Sequence, residues 1–334
     1  MRAGVLVGGF GTRLRPLTVD LPKQMLPVVH VSMLERVVGG LARYGIDEAI
    51  LSLGFRPDAF IDAYPNGTCA GVTLHYAVEP EPLDTAGAIR FAARSAGIDE
   101  TFVVVNGDVI NDFDLRTLLR LHRERNAEGT IHLTPVDDPS RYGVVPTAPD
   151  GRVLGFIEKP PRDEAPTNWI NAGSYVLEPS VLARIRDGRK VSIERETFPA
   201  MVVDGTLFAL QDPCYWIDAG TPATYLEVQL DLLSGRRGIV EHGVHPGATI
   251  EPSAIVERSV VGAGARIDAR AIVRDSVVLA GAHIGADAEL DHAIVAEHAV
   301  VGAAAALRDH CVVGRAQHIA PGRQLVNAKV PEVS

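Results

Sequence analysis

The sequence predicts an α/β domain with a mostly parallel mixed sheet, followed by a short left-handed parallel β-helix of hexapeptide repeats. Two patterns carry this. Early in the chain, short apolar runs alternate with helix-length stretches, as in crossover connections between parallel strands. In the last hundred residues, branched apolar residues recur every six positions with small residues and glycines between them. Length agrees: 334 residues exceed the roughly 150 of one ordinary domain, so two are expected.

Taken in order, Ala3–Val7 is an apolar run stopped by glycines, and Met33, Val37, Val38 and Leu41 share one helical face. Ala49–Leu53 and Val72–Val78 read as strands, the second with Val, Leu and Tyr on alternate positions. Thr85–Ala93 is expected to be helical, Thr101–Val105 a strand, and Asp114–Glu124 a helix with Asp114 as N-cap. Thr130–Pro135, Val153–Ile157 and Gly173–Leu177 are further strand candidates. The polar stretch Ser234-Gly235-Arg236-Arg237-Gly238 suits a linker, dividing the chain into domains 1–235 and 240–330.

Beyond it, Val301, Leu307, Val313, Ile319 and Leu325 are successive steps of six, as are Val244, Ile250, Val256 and then Ile267, Val273, Leu279. Steps of five between these runs would be turn adjustments. A single coil leaves its apolar face open, so the repeat must work as a stack.

Composition excludes several classes. Apolar residues make up 46% and charged residues 22%, which is a globular mixture with ample core. The formal charge of −10 opposes nucleic-acid binding, and no basic cluster offsets it. No run of about 18 apolar residues suggests a membrane span. The start lacks the cationic region and cleavage site of a signal peptide. Cys69, Cys214 and Cys311 are odd in number and far apart, so neither a disulfide framework nor a zinc motif is expected, and a reducing cytoplasm is the default. Lysine is scarce, at 4 against 28 arginines.

Val5-Leu6-Val7-Gly8-Gly9-Phe10-Gly11-Thr12-Arg13-Leu14 reads as a strand entering a glycine-rich loop, where backbone N–H groups can converge on phosphate oxygens. It is not a Walker A loop, which needs GKS or GKT, nor a dinucleotide fingerprint, which needs Gly or Ala where Leu14 stands. A bare glycine turn would also serve a structural purpose. What distinguishes this one is that the glycines, Arg13 and Lys23 fall within 16 residues, supplying donors and two cations for a triphosphate.

The segment Gly8–Val28 closely resembles GGxGTRLxPLTxxxPKxxLPV, the signature of the sugar-1-phosphate nucleotidyltransferases, or nucleotide-sugar pyrophosphorylases. Asn106-Gly107-Asp108, Tyr142-Gly143-Val144, Glu158-Lys159-Pro160, Asn171-Ala172-Gly173 and Tyr215-Trp216-Ile217-Asp218-Ala219-Gly220-Thr221-Pro222 match later family segments, so the resemblance reaches about residue 230. It implies a Rossmann-like catalytic domain, and a β-helix occurs in the longer members. It implies nucleotide binding by Leu6, Gly8, Gly9, Gly11, Thr12, Arg13 and Lys23, with base recognition by Glu79, Pro82, Thr85, Ala86 and Gly87. Sugar-phosphate binding would fall to Tyr142, Gly143, Glu158, Lys159 and Asn171, and Mg²⁺ to Asp108 and Asp218. Arg13, Lys23, Asp108, Lys159 and Asp218 are the implied catalytic set. Two departures stand out: Asp84 replaces a common glycine, and Val31-Ser32-Met33 replaces Lys-Pro-Met.

Glu79 occupies the place where uracil and thymine readers commonly have glutamine. Guanine presents N1–H and N2–H side by side, which suits a carboxylate acceptor. Ser192–Pro199 resembles a segment of GDP-mannose-forming members, though Ser192 as a helix cap explains it equally. The expected reaction is therefore attack of mannose-1-phosphate on GTP, giving GDP-mannose and pyrophosphate. Thymidylyl transfer to glucose-1-phosphate stays open, since Gln24-Met25-Leu26-Pro27 is close to those enzymes. A nucleotide-sugar-binding regulatory subunit and an acyltransferase using one of the 7 histidines beyond residue 240 are the further readings. The partners expected are small-molecule substrates and a second copy of the chain held through the β-helix, with neither nucleic acid nor membrane.

Overall fold

The computed structural model describes residues 1–54 and 56–332. They form two compact units, one of Met1–Gly9 with Leu34–Trp216 and the other of Phe10–Met33 with Ile217–Ser334.

In the first unit, β1 (Arg2–Leu6), β2 (Glu48–Leu53), β3 (Val72–Val78) and β4 (Phe102–Asn106) lie side by side in the order β4-β1-β2-β3, all parallel. Near-continuous apolar runs in β2 and β4 explain this, because crossover helices cover both faces of such strands, while β3 alternates as its sequence suggests. Ala49, Ile50, Leu51 and Leu53 are buried in β2, and Phe102 to Val105 are buried in β4. Among the crossover helices is α1 (Asp84–Ser95), which buries Ala86, Ile89, Ala92 and Ala93. The next, α2 (Leu115–Glu124), has Asp114 as N-cap, accepting from the Arg116 N–H at 3.0 Å as expected.

Three further strands extend the sheet: β5 (Gly129–Pro135), β6 (Trp169–Leu177) and β7 (Leu207–Gln211). β6 runs antiparallel to both β4 and β5, and β7 runs parallel to β5, which makes the sheet mixed. Its register slips between Asn171 and Tyr175. Gly173 sits in this bulge at φ 76°, where a Cβ would lie 2.5 Å from Asn106 Nδ2, so only glycine fits.

The expected strand Val153–Ile157 does not form as one piece. Val153 donates to Leu207 O and Leu154 to Pro146 O, so the chain is shared between two neighbours and cannot ladder with either. Val153 makes a single antiparallel bridge to Thr147, and Ile157–Glu158 pairs as a short strand, antiparallel to Gly143–Val144.

In the second unit, α3 (Pro222–Ser234) opens with a Thr221–Thr224 capping box and ends at Gly235, φ 76°. The β-helix follows, with three parallel five-stranded sheets as the faces of its prism. Interior residues stack in register: Ile250, Ile267, Ile284, Val301, Ile319 on one face and Val256, Val273, Leu290, Leu307, Leu325 on the next. The third face carries Val261, Val278, Val295, Val313 and Val330. One expected position moves. After Ile267 and Val273 the interior residue is Val278, not Leu279, because the corner at Asp275 turns one residue early, φ 43°. Leu279 is buried outside the coil, lining a groove with Pro16, Leu17 and Leu26.

Three histidines of this region, His292, His298 and His310, occupy corners at positive φ. Ion pairs join consecutive coils: Arg258 to Asp275, Arg270 to Asp287 at 2.6 Å, and Arg274 to Glu257 at 2.7 Å. The Arg258 guanidinium, bonded to both oxygens, holds the Asp275 carboxyl below the usual carboxylate range. A depressed folded-state pKa stabilises above the ordinary value, about 4, and the stabilisation is lost as pH falls through the folded-state value. Asp275→Asn should therefore cost up to about 1 kcal/mol at pH 7, the pair being half-exposed. It should also flatten the loss of Tm between roughly pH 4 and pH 2, which thermal melts across that range would show.

Candidate active site

In the second unit the loop Gly11–Val28 is clamped at several points. Leu14, Leu17 and Leu26 are buried, and Thr18 Oγ1 donates to Gly11 O at 2.7 Å. Gly11 has φ 63°, and a Cβ there would come 3.3 Å from the Lys23 stem. Anchored in this way, the loop leaves Thr12 and Arg13 exposed at the start of a 3-10 turn, while a half-buried Lys23 opens a second. The Arg13 guanidinium reaches Asp218, with Nη2 to Oδ2 at 3.6 Å. At Gly220 a Cβ would lie 2.6 Å from Asp218 Oδ1 and 2.7 Å from Arg13 Nη2. The glycine therefore keeps open the space at the carboxylate.

The same unit contains a clamp that sequence reasoning missed. Gln229, fully buried on α3, accepts from Val29 N–H and donates to Pro27 O at 2.9 Å. Tyr225, also fully buried, donates its hydroxyl to the same Pro27 carbonyl. Val29 has φ 58°, a costly conformation for a β-branched residue, held by this bond. The helix that follows Asp218 thus grips the strand that follows Lys23. A contact between residues some 200 positions apart has no periodic signature.

In the first unit, Leu6 ends β1 opposite Asn106 at the end of β4, and Gly107 N–H donates to Leu6 O at 3.0 Å. Asp108 follows, 9% exposed. Carboxyl ends of parallel strands are where open α/β sheets hold ligands. Gly9 is exposed just beyond β1, and a Cβ on Gly8 would stand 3.4 Å from Glu79 Oε1. Glu79 is fixed at both oxygens: Ser52 Oγ donates to Oε1 at 2.8 Å and Leu83 N–H to Oε2 at 3.0 Å. An ionised carboxylate has about four acceptor positions, so each oxygen retains capacity for a ligand.

Pro82 is exposed in the turn that follows. Asp84 has φ 62°, a conformation that favours glycine, and its Oδ1 accepts from Thr85 N–H at 2.8 Å. Aspartate thus replaces the commoner glycine by bonding to its own turn. Ala86 and Gly87 N–H groups both donate to Val191 O, and Thr85 Oγ1 donates to Glu194 at 2.7 Å. These donors are engaged within the chain, docking Ser192–Glu194 on the start of α1. Ser192 caps its turn as expected, accepting from Arg195 N–H at 3.2 Å.

The remaining candidates gather around β6 and the Gly143 hairpin. Lys159 N–H donates to Tyr142 O, and Lys159 Nζ lies 2.9 Å from Glu158 Oε1. Lys159 has φ 52°, a strained position that aims an exposed ammonium. Gly143 has no room for a Cβ, which would meet the Phe156 ring at 2.6 Å. The Tyr142 ring packs edge-on to Trp216 at 5.4 Å, and Trp216 Nε1–H donates to Ala172 O at 2.9 Å. Asn171 spans its bulge, accepting from Gly173 N–H and donating to Tyr175 OH.

Residues 3–235 match the family model described as nucleotidyl transferase, and residues 239–332 match the GMPPB C-terminal domain. The chain belongs to the nucleotidyl transferase family. Like its relatives there, it is a nucleotidyltransferase. One relative is a mannose-1-phosphate guanylyltransferase of Mycobacterium tuberculosis, 41% identical, with the alignment covering 78% of this chain and 74% of the relative. Another is the catalytic subunit beta of that enzyme in Dictyostelium discoideum, 36% identical over 77% and 73%. The mannose-1-phosphate guanyltransferase of Hypocrea jecorina is 42% identical over 68% of this chain, which spans 62% of that relative's length. Among solved structures, HddC from Yersinia pseudotuberculosis superposes with a TM-score of 0.60 at 29% identity, covering 68% of this chain and 97% of that one. It has also been crystallised with GMP-PN.

Two variants test how this family site is built. Gln229→Ala leaves Val29 N–H buried without its acceptor and should destabilise by about 1–3 kcal/mol, read by urea unfolding. Gly220→Ala should leave the melting temperature unchanged while lowering kcat/KM by about tenfold or more, because the Arg13 and Asp218 ends must shift.

Proposed function

We propose that this nucleotidyltransferase joins GTP and mannose-1-phosphate to form GDP-mannose and pyrophosphate. The observation that carries the base assignment is Glu79, a carboxylate preset by Ser52 and Leu83 where the family reads its base. Guanine can offer N1–H and N2–H to it together, whereas thymine and uracil offer one N–H flanked by carbonyls. The names of the relatives support the same sugar and base.

The chemistry needs no general base, because a phosphate oxygen is already a competent nucleophile near neutral pH. It attacks the α-phosphorus in line and pyrophosphate departs. Catalysis is then positioning and charge neutralisation. Arg13 would hold the departing pyrophosphate, Lys23 the α-phosphate, and Lys159 the incoming phosphate, with Glu158, Asn171, Tyr142 and Gly143 shaping the sugar's place. Gly8, Gly9, Gly11 and Thr12 supply backbone donors. Asp108 and Asp218 would hold Mg²⁺. Their carboxylates suit a hard cation, and the space at Asp218 that a Cβ on Gly220 would fill is consistent with one. When bound, Mg²⁺ supplies Lewis-acid neutralisation of phosphate charge.

The division into catalytic residues 1–235 and a β-helix at 240–330 belongs to the same proposal. So do the β-helix as the contact with a second copy and a cytoplasmic setting. No helix among the described residues is long and apolar enough to cross a membrane.

Pyrophosphate release should be measured with GTP, dTTP, UTP, ATP and CTP, each paired with mannose-, glucose- and glucosamine-1-phosphate. The expected result is dominance of GTP with mannose-1-phosphate, and dominance of dTTP with glucose-1-phosphate would overturn the base and sugar assignment. Lys23→Ala and Asp108→Ala should each lower kcat/KM by about 100-fold or more. Glu79→Gln should shrink the GTP-over-dTTP preference by about tenfold.

A further inference from the structure

We propose that His132, Asp212 and Cys214 form a site for a borderline-soft divalent cation of the Zn²⁺ type, separate from the residues assigned to substrate. They come from neighbouring elements of the first unit: His132 from β5, and Asp212 and Cys214 from the segment leaving β7. One ligand atom from each lies within 4.8 Å of the others. Cys214 Sγ stands 3.8 Å from His132 Nε2. Two ligands of a tetrahedral Zn²⁺, with bonds of about 2.3 Å to sulfur and 2.0 Å to nitrogen, are roughly 3.6 Å apart. This pair needs only a small contraction, and the Asp212 carboxylate, within 4.8 Å of both, closes in from the side.

Three features point to a cation in preference to a plain polar contact. First, His132 is fully buried, stacked on Phe113 with ring centroids 5.0 Å apart, and its Nε2 faces the Cys214 sulfur, a weak hydrogen-bond partner. A buried imidazole so poorly satisfied is costly unless something coordinates it. Second, the charged groups acting on Cys214 are acidic ones, Asp212 and Asp112, and Asp114 adds to the field at Asp212. Carboxylates gathered at a half-buried place stabilise a positive ion there. Third, the donor types are imidazole, thiol and carboxylate, the mixture that Zn²⁺ takes and Mg²⁺ does not.

Burial keeps the imidazole neutral, its pKa lowered to about 4, which is the form that ligates. Burial, with Asp212 and Asp112, pushes the Cys214 thiol up to about 12, so it is protonated before the ion arrives. Binding therefore forms the metal–sulfur bond and releases the thiol proton to solvent, with no change of oxidation state. Three protein ligands leave a fourth position for water. Asp212 and Cys214 are only half-buried, which gives that water a way in.

The ion would tie β5 to the segment leading into Trp216, whose indole holds Ala172 beside Asn171. Its role is positioning.

The test uses the full chain, stripped with chelator, in excess Mg²⁺ to fill hard-cation sites. Co²⁺ is titrated as a spectroscopic probe, then displaced with Zn²⁺. Wild type should bind one equivalent with a thiolate-to-cobalt charge-transfer band that Zn²⁺ abolishes. Cys214→Ser should lose the band and bind Zn²⁺ about 10- to 100-fold more weakly, as losses in a metal's ligand shell do. Without added Zn²⁺ it should release pyrophosphate at the rate of the chelator-stripped wild type, which shows that it is folded. His132→Gln should weaken binding similarly. Absence of the band in wild type would overturn the proposal, as would its persistence in Cys214→Ser or equal Zn²⁺ affinity in both.

Discussion

The geometry of the second unit depends on one buried amide. Gln229 both accepts from and donates to the backbone at Pro27–Val29, and Tyr225 adds a hydroxyl to the same carbonyl. Buried backbone groups left unmade are expensive, so this pairing admits little drift. Lys23 lies four residues before that grip on one side. Asp218 lies four before the start of α3 on the other. Two charged residues far apart in sequence are therefore placed by a neutral contact that touches neither of them.

Within each unit a related rule holds: close approach is obtained by removing side chains. Gly173 admits Asn106, Gly143 admits Phe156, and Gly220 admits Asp218 with Arg13. At two places where the chain keeps a side chain at positive φ, that side chain has a use. Asp84 bonds its own turn and Lys159 presents an ammonium. Strain and exposure together at Lys159 mark a residue whose placement is not set by packing.

Much of this was legible in the sequence. The parallel strands, the Asp114 and Ser192 caps and the stacked coils follow from local pattern, because each is decided by residues near one another. The signature loop was legible for a different reason, since dense glycines beside scarce lysines are chemically unusual. Illegible were Val278 in place of Leu279 and the broken strand at Val153–Ile157. In Val277-Val278-Leu279 all three residues are apolar, so periodicity cannot say where a corner shortens. Val153 and Leu154 are divided between partners fixed only by tertiary structure. The Gln229 clamp was equally hidden, as was the meeting of His132 with Cys214, two long-range contacts between polar residues.

The corners of the β-helix give the domain a unit of length. Interior residues and inter-coil ion pairs repeat at 17 positions, as from Ile267 to Ile284 and from Arg258 to Asp275, with 18 from Val301 to Ile319. Inserting a whole coil would carry its own interior stack and its own corner charges, meeting the neighbours above and below on the terms they already satisfy. Losing one residue within a straight edge would instead turn every later apolar side chain outward until the next corner absorbed the slip. The observed 18-residue coil shows where such slack is tolerated. In evolutionary terms, this part of the chain can grow or shrink by duplication far more readily than it can be edited letter by letter.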